Sequence, residues 1–215
     1  MYIPKLYQEL DPDTVAEFIR SHEFATLVSF DGERPIATHL LIGLESGPDN
    51  SIVLTGHMAR ANQHWHTFSA AQDVLAIFSG PHTYISPRWY SHVNVPTWNY
   101  IAIHAYGRPR VITDHDELYR LLEKLVDEHE ADSGAVPTYR LDGLPEDFRE
   151  RQMQAIVGFK IDVTRIEASY KLSQNRDQQS YDSVVTELYR RTDDNSRAVA
   201  DNMTARRPKV FGAEK

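Results

Sequence analysis

The sequence predicts an α+β protein, mainly antiparallel β, with peripheral helices. Three observations lead there: short runs of β-branched and aromatic residues separated by turn signals, strands and helices that do not alternate regularly, and a composition of 41% hydrophobic and 25% charged residues. At 215 residues the chain holds one large or two small domains, enough to enclose a real core.

Asp11-Pro12 sets an N-cap ahead of a proline at the first helical position, and Val15, Phe18 and Ile19 share one face, so a short helix runs to about Ser21-His22. Strand-like runs at 24–30, 35–42 and 51–55 follow, with turns at Asp31-Gly32 and Gly47-Pro48-Asp49-Asn50, which predicts an antiparallel meander. Met58 to Phe68 lacks Gly and Pro and predicts a helix opening directly off a strand end. Residues 74–78 and 83–86 read as strands, Pro87 to Pro96 as a polar, aromatic loop, and Asn99 to Ile112 as a long strand interrupted at Gly107 and Pro109. Asp114 caps an amphipathic helix carrying Leu118, Leu121, Leu122, Leu125 and Val126. A loop around Ser133-Gly134 leads to a helix from about Pro145 to Ala155. Ile156 to Ile166 alternates as a final strand, and Ser180 to Arg190 is helical. Residues 1–190 therefore read as one domain with an acidic helical insertion at 114–150, and 191–215 as a polar, weakly ordered tail.

The charge is uneven. The chain has 23 Lys and Arg against 31 Asp and Glu, a net of −8, and residues 114–150 alone hold 12 acids against 4 bases. From Ser51 to Thr113 the acid is Asp73, set against Arg60, Arg88, Arg108 and Arg110. A carboxylate-poor centre accepts an anion without like-charge repulsion, although strands and loops also carry fewer charges than exposed helices. The acidic balance argues against a surface built to grip duplex DNA. Zero cysteine excludes disulfides, thiolate metal sites and thiol nucleophiles. No apolar run approaches the roughly 20 residues of a membrane helix, and Met1 to Lys5 opens no apolar signal region. A cytoplasmic protein without a membrane partner is expected.

Three segments carry candidate chemistry. Thr55-Gly56-His57 leading to Arg60 and Asn62 places a strand end before a predicted helix start, where amides, the helix dipole and a guanidinium favour a phosphate. The structural alternative makes Gly56 a turn residue and Arg60 a solvated helix residue. Pro87-Arg88-Trp89-Tyr90 and Thr97-Trp98-Asn99-Tyr100 concentrate aromatics that flank a planar ligand, plug a barrel end or bury a dimer interface. Lys171-Leu172-Ser173-Gln174-Asn175-Arg176 is rich in donors for an anion or heterocycle oxygens, or forms a generic polar turn. Among ten histidines, His64 and His66 stand two apart and point in different directions on a helix, so no metal site is expected.

Together these segments resemble a known family. Met1-Tyr2-Ile3-Pro4, Phe24 to Val28, Ala37-Thr38-His39-Leu40, Gly56 to Asn62, Val95 to Tyr100, Ala155 to Phe159 and Lys171 to Arg176 are similar to the signature blocks of the PaiB family of FMN-binding negative transcriptional regulators, also described as protease synthase and sporulation regulators. The match runs in order through about residue 190. The resemblance implies a pyridoxamine-phosphate-oxidase-like split β-barrel, homodimeric, with FMN between subunits. It implies that Ala37, Thr38, His39 and Leu40 line the ring, that Thr55, Arg60 and Asn62 hold the phosphate, and that Gly56 and His57 belong to the same cofactor site. Arg60-Ala61 stands where the wider superfamily commonly has Arg-Lys, so Lys171 or Arg176 compensates or affinity is weaker. Trp98, Asn99, Ser173 and Gln174 extend the pocket by the same resemblance.

Three functions follow from this reading: a dimeric FMN-binding regulator, an FMN-dependent oxidoreductase on a small planar substrate, or a haem-binding or haem-degrading split barrel using His39, His57 or His104 as axial ligand. Direct DNA contact is doubtful. The strongest amphipathic helix carries Glu123, Asp127, Glu128 and Glu130, and only Arg206-Arg207-x-Lys209 is basic enough to touch phosphates.

Overall fold

The computed structural model describes residues 1–47, 51–69, 72–131, 134, 136 and 138–212. Pro48, Asp49 and Asn50 of the expected second turn, Ser133 of the expected loop and the last three residues lie outside them. Six strands carry the fold: β1 (Phe24–Phe30), β2 (Pro35–Ser46), β3 (Ile52–Ala59), β4 (Val74–Ile85), β5 (Thr97–Val111) and β6 (Ile156–Lys171). Their hydrogen-bonded order is β1-β2-β3-β6-β5-β4, closed into a barrel by antiparallel pairing of β1 with β4. The α+β, mainly antiparallel expectation holds.

The helices are α1 (Pro12–Ser21), α2 (His115–Ala131), α3 (Glu146–Gln154), α4 (Gln178–Tyr189) and α5 (Asp194–Phe211). None among the described residues is long and apolar enough to cross a membrane.

Local chemistry explains the elements. β1 alternates buried Ala25, Leu27 and Ser29 with more exposed neighbours, the period of a strand with one face on the core. Residues 74–85 form one strand rather than two, and β5 runs through Gly107 and Pro109 without interruption. Gly107 is there for closeness: a Cβ on it would stand 2.4 Å from the Asp162 carbonyl oxygen. The expected helix over Met58–Phe68 is replaced by the end of β3 and a 3₁₀ helix, Gln63–Ser69.

The chain divides into two compact units. One comprises 16–78 and 105–166. Its interior is built on fully buried Ile19, Leu27, Ile42, Leu54, Phe78, Phe159 and Ile161, with Phe68 packed edge-on against Phe159 at 5.4 Å. A second apolar cluster, Ile112, Leu118, Leu121 and Met153, holds α2 and α3 in the same unit.

The other unit comprises 1–15, 79–104 and 167–215. In it α4 and α5 pack through buried Tyr181, Val184, Leu188, Val199, Ala200 and Met203, and Tyr181 Oη donates to the Met203 carbonyl at 2.7 Å. Asp194–Phe211, within the segment expected to be a weakly ordered tail, thus form an ordered helix. Asp193 caps it by accepting from Ser196 N at 2.8 Å, and Arg207 pairs with both carboxylate oxygens of Asp182 at 2.8 and 2.9 Å. Its few apolar residues gave too weak a periodic signal to stand out from a polar run.

Candidate functional site

The predicted residues fall into two groups, one in each unit. In the unit holding β1, β2 and β3, register sorts the four residues of Ala37–Leu40. Leu40 shares the core face of Ile42 and Leu44, whereas Ala37 and His39 are exposed on the other face. His39 lies cross-strand from Thr26, with Nδ1 2.9 Å from Thr26 Oγ1, and its ring stacks near Phe24 at 6.3 Å.

Thr38 lies on the Leu40 face, and two side chains beyond β3 converge on it, Asn62 and, from the 3₁₀ helix, His64. Asn62 Nδ2 donates to Thr38 Oγ1 at 3.2 Å, and His64 Nδ1 lies 2.7 Å from the same oxygen. Asn62 Oδ1 accepts from His64 N at 3.0 Å, closing the triangle. His64 is buried, its Nε2 has no hydrogen-bond partner, and burial holds the imidazole below its usual pKa range, hence neutral at pH 7. Sequence reasoning weighed His64 only as a metal ligand. Its spacing from Asn62, read as a loop instead of a helix, was the available signal.

The ladders explain why the loop reaches in. β2 pairs with β1 over Pro35–Leu41 and with β3 only over Ile42–Ser46, while His57–Ala59 of β3 pair with β6. β2 and β3 therefore diverge at Ile42 and Gly56. Below that point one edge of β2, residues 37–41, carries no ladder among the described residues. Gly56 sits in mid-strand at this fork rather than in a turn, since a Cβ on it would meet Phe159 Cζ at 2.7 Å and the Leu41 carbonyl oxygen at 2.9 Å. His57, next along, is half-buried with Nδ1 unpartnered, and burial lowers its pKa.

The expected phosphate end is arranged differently. Thr55 is buried in β3 opposite Gly43, and roughly 13 Å of extended chain separates it from Ala59, so Thr55 and Arg60 do not converge. The helix after β3 is the short 3₁₀ helix Gln63–Ser69, which opens four residues beyond the strand end rather than directly off it. Arg60 Nε and Nη2 donate to the carbonyls of Gln154 and Ile156 at 2.7 and 2.8 Å, tying the β3 end to the α3–β6 junction. Arg60 also edges a cleft of about 360 Å³ whose lining includes Trp65, Asp114 and Glu150.

In the other unit, Asn99 is fully buried and Ser173 nearly so. They bond reciprocally: Asn99 Nδ2 to Ser173 Oγ at 3.0 Å, and Ser173 Oγ to Asn99 Oδ1 at 3.1 Å. Ser173 has φ +63°, a left-handed conformation uncommon for a side-chain-bearing residue. Gln174 braces the same turn, accepting from Leu172 N at 2.7 Å and donating to the Tyr170 carbonyl. Lys171 Nζ donates to Thr97 Oγ1 and to the Trp98 carbonyl at 2.7 Å, and Arg176 lies over the Tyr90 ring at 4.5 Å. Trp98 is 52% exposed, with His82 and Tyr84 rings at 6.0 and 6.4 Å. Asn99, Ser173 and Gln174 thus shape the turn, and Lys171, Arg176 and Trp98 keep surface for a ligand.

A family described as "Putative FMN-binding domain" matches residues 1–165. The chain belongs to this FMN-binding family. It is also 39% identical over 203 residues, covering 94% of the chain and 96% of the relative, to the protease synthase and sporulation protein PAI 2 of Bacillus subtilis. Among solved structures it is similar in fold to the flavocytochrome Anf3 from Azotobacter vinelandii, with TM-score 0.59, 14% identity and 84% and 78% of the two chains covered. A FAD and haem binding protein from Mycobacterium smegmatis gives TM-score 0.54 and 10% identity, with 77% and 73% covered. The fold is thus that of the flavin-binding split barrels, and FMN is the cofactor of this family.

The chain's residues fit FMN. Among the described residues the fork between β2 and β3 leaves the β3-side backbone donors and acceptors of residues 37–41 without a ladder, which suits the hydrogen-bonding edge of an isoalloxazine ring. Exposed Ala37 and His39 flank that edge.

Proposed function

We propose that this member of the FMN-binding family is a PaiB-type negative transcriptional regulator: a cytoplasmic homodimer that binds FMN along β2 and acts on transcription indirectly. The unladdered edge of β2 at the Ile42–Gly56 fork is the observation that carries the flavin reading. Thr38, Asn62 and His64 fix the chain at that fork, and Ala37 and His39 flank the ring. Bound FMN would supply one- or two-electron redox chemistry, which a chain without cysteine lacks.

The regulatory part rests on the resemblance of the signature blocks to the PaiB family; the B. subtilis relative is described as a protease synthase and sporulation protein. The indirect route rests on charge. α2 carries Glu123, Asp127, Glu128 and Glu130, and the basic residues near the C-terminus are engaged: Arg206 and Lys209 with Glu9, and Arg207 with Asp182. Phe24 and Phe30, 70% and 48% exposed on the strand face of His39, are the kind of apolar surface a second copy covers.

The deciding test is the visible spectrum of the purified chain with an FMN titration. Oxidised-flavin bands with saturable binding are expected; no uptake overturns the reading, and a Soret band after haem addition would replace FMN with haem. Steady NAD(P)H turnover by the loaded protein would move the reading to an oxidoreductase. Salt-dependent binding of the full chain to promoter DNA would overturn the indirect route.

A further inference from the structure

The turn 171–176 gathers two positive charges, Lys171 and Arg176. Arg176 N bonds back to the Ser173 carbonyl at 3.0 Å, so the left-handed Ser173 brings Lys171 and Arg176 to the two ends of one tight turn. Among the described residues neither cation forms an ion pair. Asp177, next in the chain, spends its carboxylate on Ser180 N and Oγ at 2.9 and 2.8 Å and on His92 at 3.3 Å. Burial, and then the Arg176 charge, lower the Lys171 pKa, as expected of two cations sharing one environment.

Two enclosed donors at the same place are unmet. Arg176 Nε has no hydrogen-bond partner, and neither does Tyr90 Oη, on a residue only 9% exposed over whose ring the guanidinium lies. Tyr7 and Tyr100 complete the surroundings: Arg176 acts electrostatically on Tyr7, and Lys171 Nζ lies 6.0 Å from the Tyr100 ring centre. The Tyr7 phenol is raised by burial and remains a neutral donor. Buried donors without acceptors are costly, and so are adjacent cations without an anion; a single ligand removes both costs.

We propose that Tyr90, Lys171 and Arg176, flanked by Tyr7 and Tyr100, form a receptor for a phosphate-type oxyanion. All five lie in one unit. A planar guanidinium, an ammonium and a phenol supply several donors without a competing carboxylate, the pattern that suits a group with several terminal oxygens. The oxyanion comes either from FMN itself, in which case the receptor rests on the flavin reading, or from a separate phosphorylated ligand.

The test uses the full chain, with Tyr90→Phe, which removes only the hydroxyl, Arg176→Gln, and Arg176→Lys as the charge-conserving control. FMN, riboflavin and inorganic phosphate are titrated against each, alongside thermal melts. A loss of about tenfold or more in FMN affinity in Tyr90→Phe and Arg176→Gln, with riboflavin unchanged and partial recovery in Arg176→Lys, assigns the oxyanion to the flavin. Unchanged flavin binding with loss of phosphate binding to the FMN-saturated protein assigns it to a separate ligand. Wild-type chain that binds no phosphate, together with an FMN-over-riboflavin preference unaltered in both variants, overturns the receptor. If the wild type takes up no FMN, the flavin reading fails by itself, and phosphate binding that is absent, or equal in wild type and variants, overturns the receptor independently.

Discussion

Thr38 Oγ1 lies 2.7 Å from His64 Nδ1 and joins a strand to a loop 26 residues further along the chain. Thr38 Oγ1 also accepts from Asn62 Nδ2, so one hydroxyl serves both the amide and the buried, neutral imidazole. Thr38→Val keeps the shape and removes the hydroxyl, leaving two buried polar groups unpaired. A loss of about 1–3 kcal/mol in urea unfolding is expected, with weaker FMN binding, and Thr38→Ser should restore both. Wild-type stability in Thr38→Val would remove the triangle from the account.

Gly56 marks the point where β2 and β3 separate. Gly56→Ala puts a methyl group against Phe159 and the Leu41 carbonyl, and overpacking at such a contact costs about 1–3 kcal/mol. The thermal midpoint should fall and FMN affinity should drop with it, because the fork must open to accept the methyl. Calorimetry with and without FMN checks both.

Arg60 acts first as a strut. With Nε and Nη2 spent on two carbonyls, Arg60→Ala is expected to lower the melting temperature while leaving the FMN-over-riboflavin preference intact. Arg60→Lys should not rescue, since one ammonium cannot reproduce the planar fork. A selective collapse of that preference would return the phosphate to Arg60.

Acid should destabilise the fold from near neutrality downward. Burial holds His57, His64 and His104 below the ordinary imidazole value of about 6.5, so below that pH the unfolded chain binds protons that the folded chain refuses. Stability is then whole above about 6.5 and lost as pH falls toward the lowered values. His115 works oppositely: its bond to Glu150 raises its pKa, and that contribution, small at an exposed site, fades as pH rises through the raised value. Thermal melts between about pH 7.5 and 5.5 should show the fall, and His57→Gln should flatten it. A profile that is level in the wild type contradicts the assignment.

Deleting residues 191–215 should not be neutral. It uncovers Tyr181, Val184 and Leu188 and breaks the Arg207–Asp182 pair, so the shortened chain is expected to aggregate or to lose a cooperative transition in calorimetry. Native-like melting of the shortened chain would mean that α5 adds little.

The meander of β1 to β3, the amphipathic α2 and the final strand were legible because their apolar periods are local. The segments proposed for the site were named on different grounds: Gly56–Asn62 and 171–176 by residue type, Ala37–Leu40 by the family resemblance. Their division of labour was not legible. Thr38 and His39 are adjacent in sequence and opposite in role because a strand turns successive side chains to opposite faces. The expected helix after β3 is a 3₁₀ helix, and the Arg60 guanidinium donates to backbone carbonyls nearly a hundred residues away, partners that no local spacing encodes.

By itself the sequence determined an antiparallel α+β chain with its acid concentrated in one helical segment, a centre poor in carboxylates, and no thiol chemistry of its own. Only the tertiary structure decided where β2 and β3 part, that His64 sits at that fork, that Asp194–Phe211 is a packed helix, and that, among the described residues, the Tyr90 hydroxyl lacks a partner and Lys171 and Arg176 form no ion pair. Those facts depend on long-range register and burial, which bring together groups whose separation along the chain carries no periodic trace.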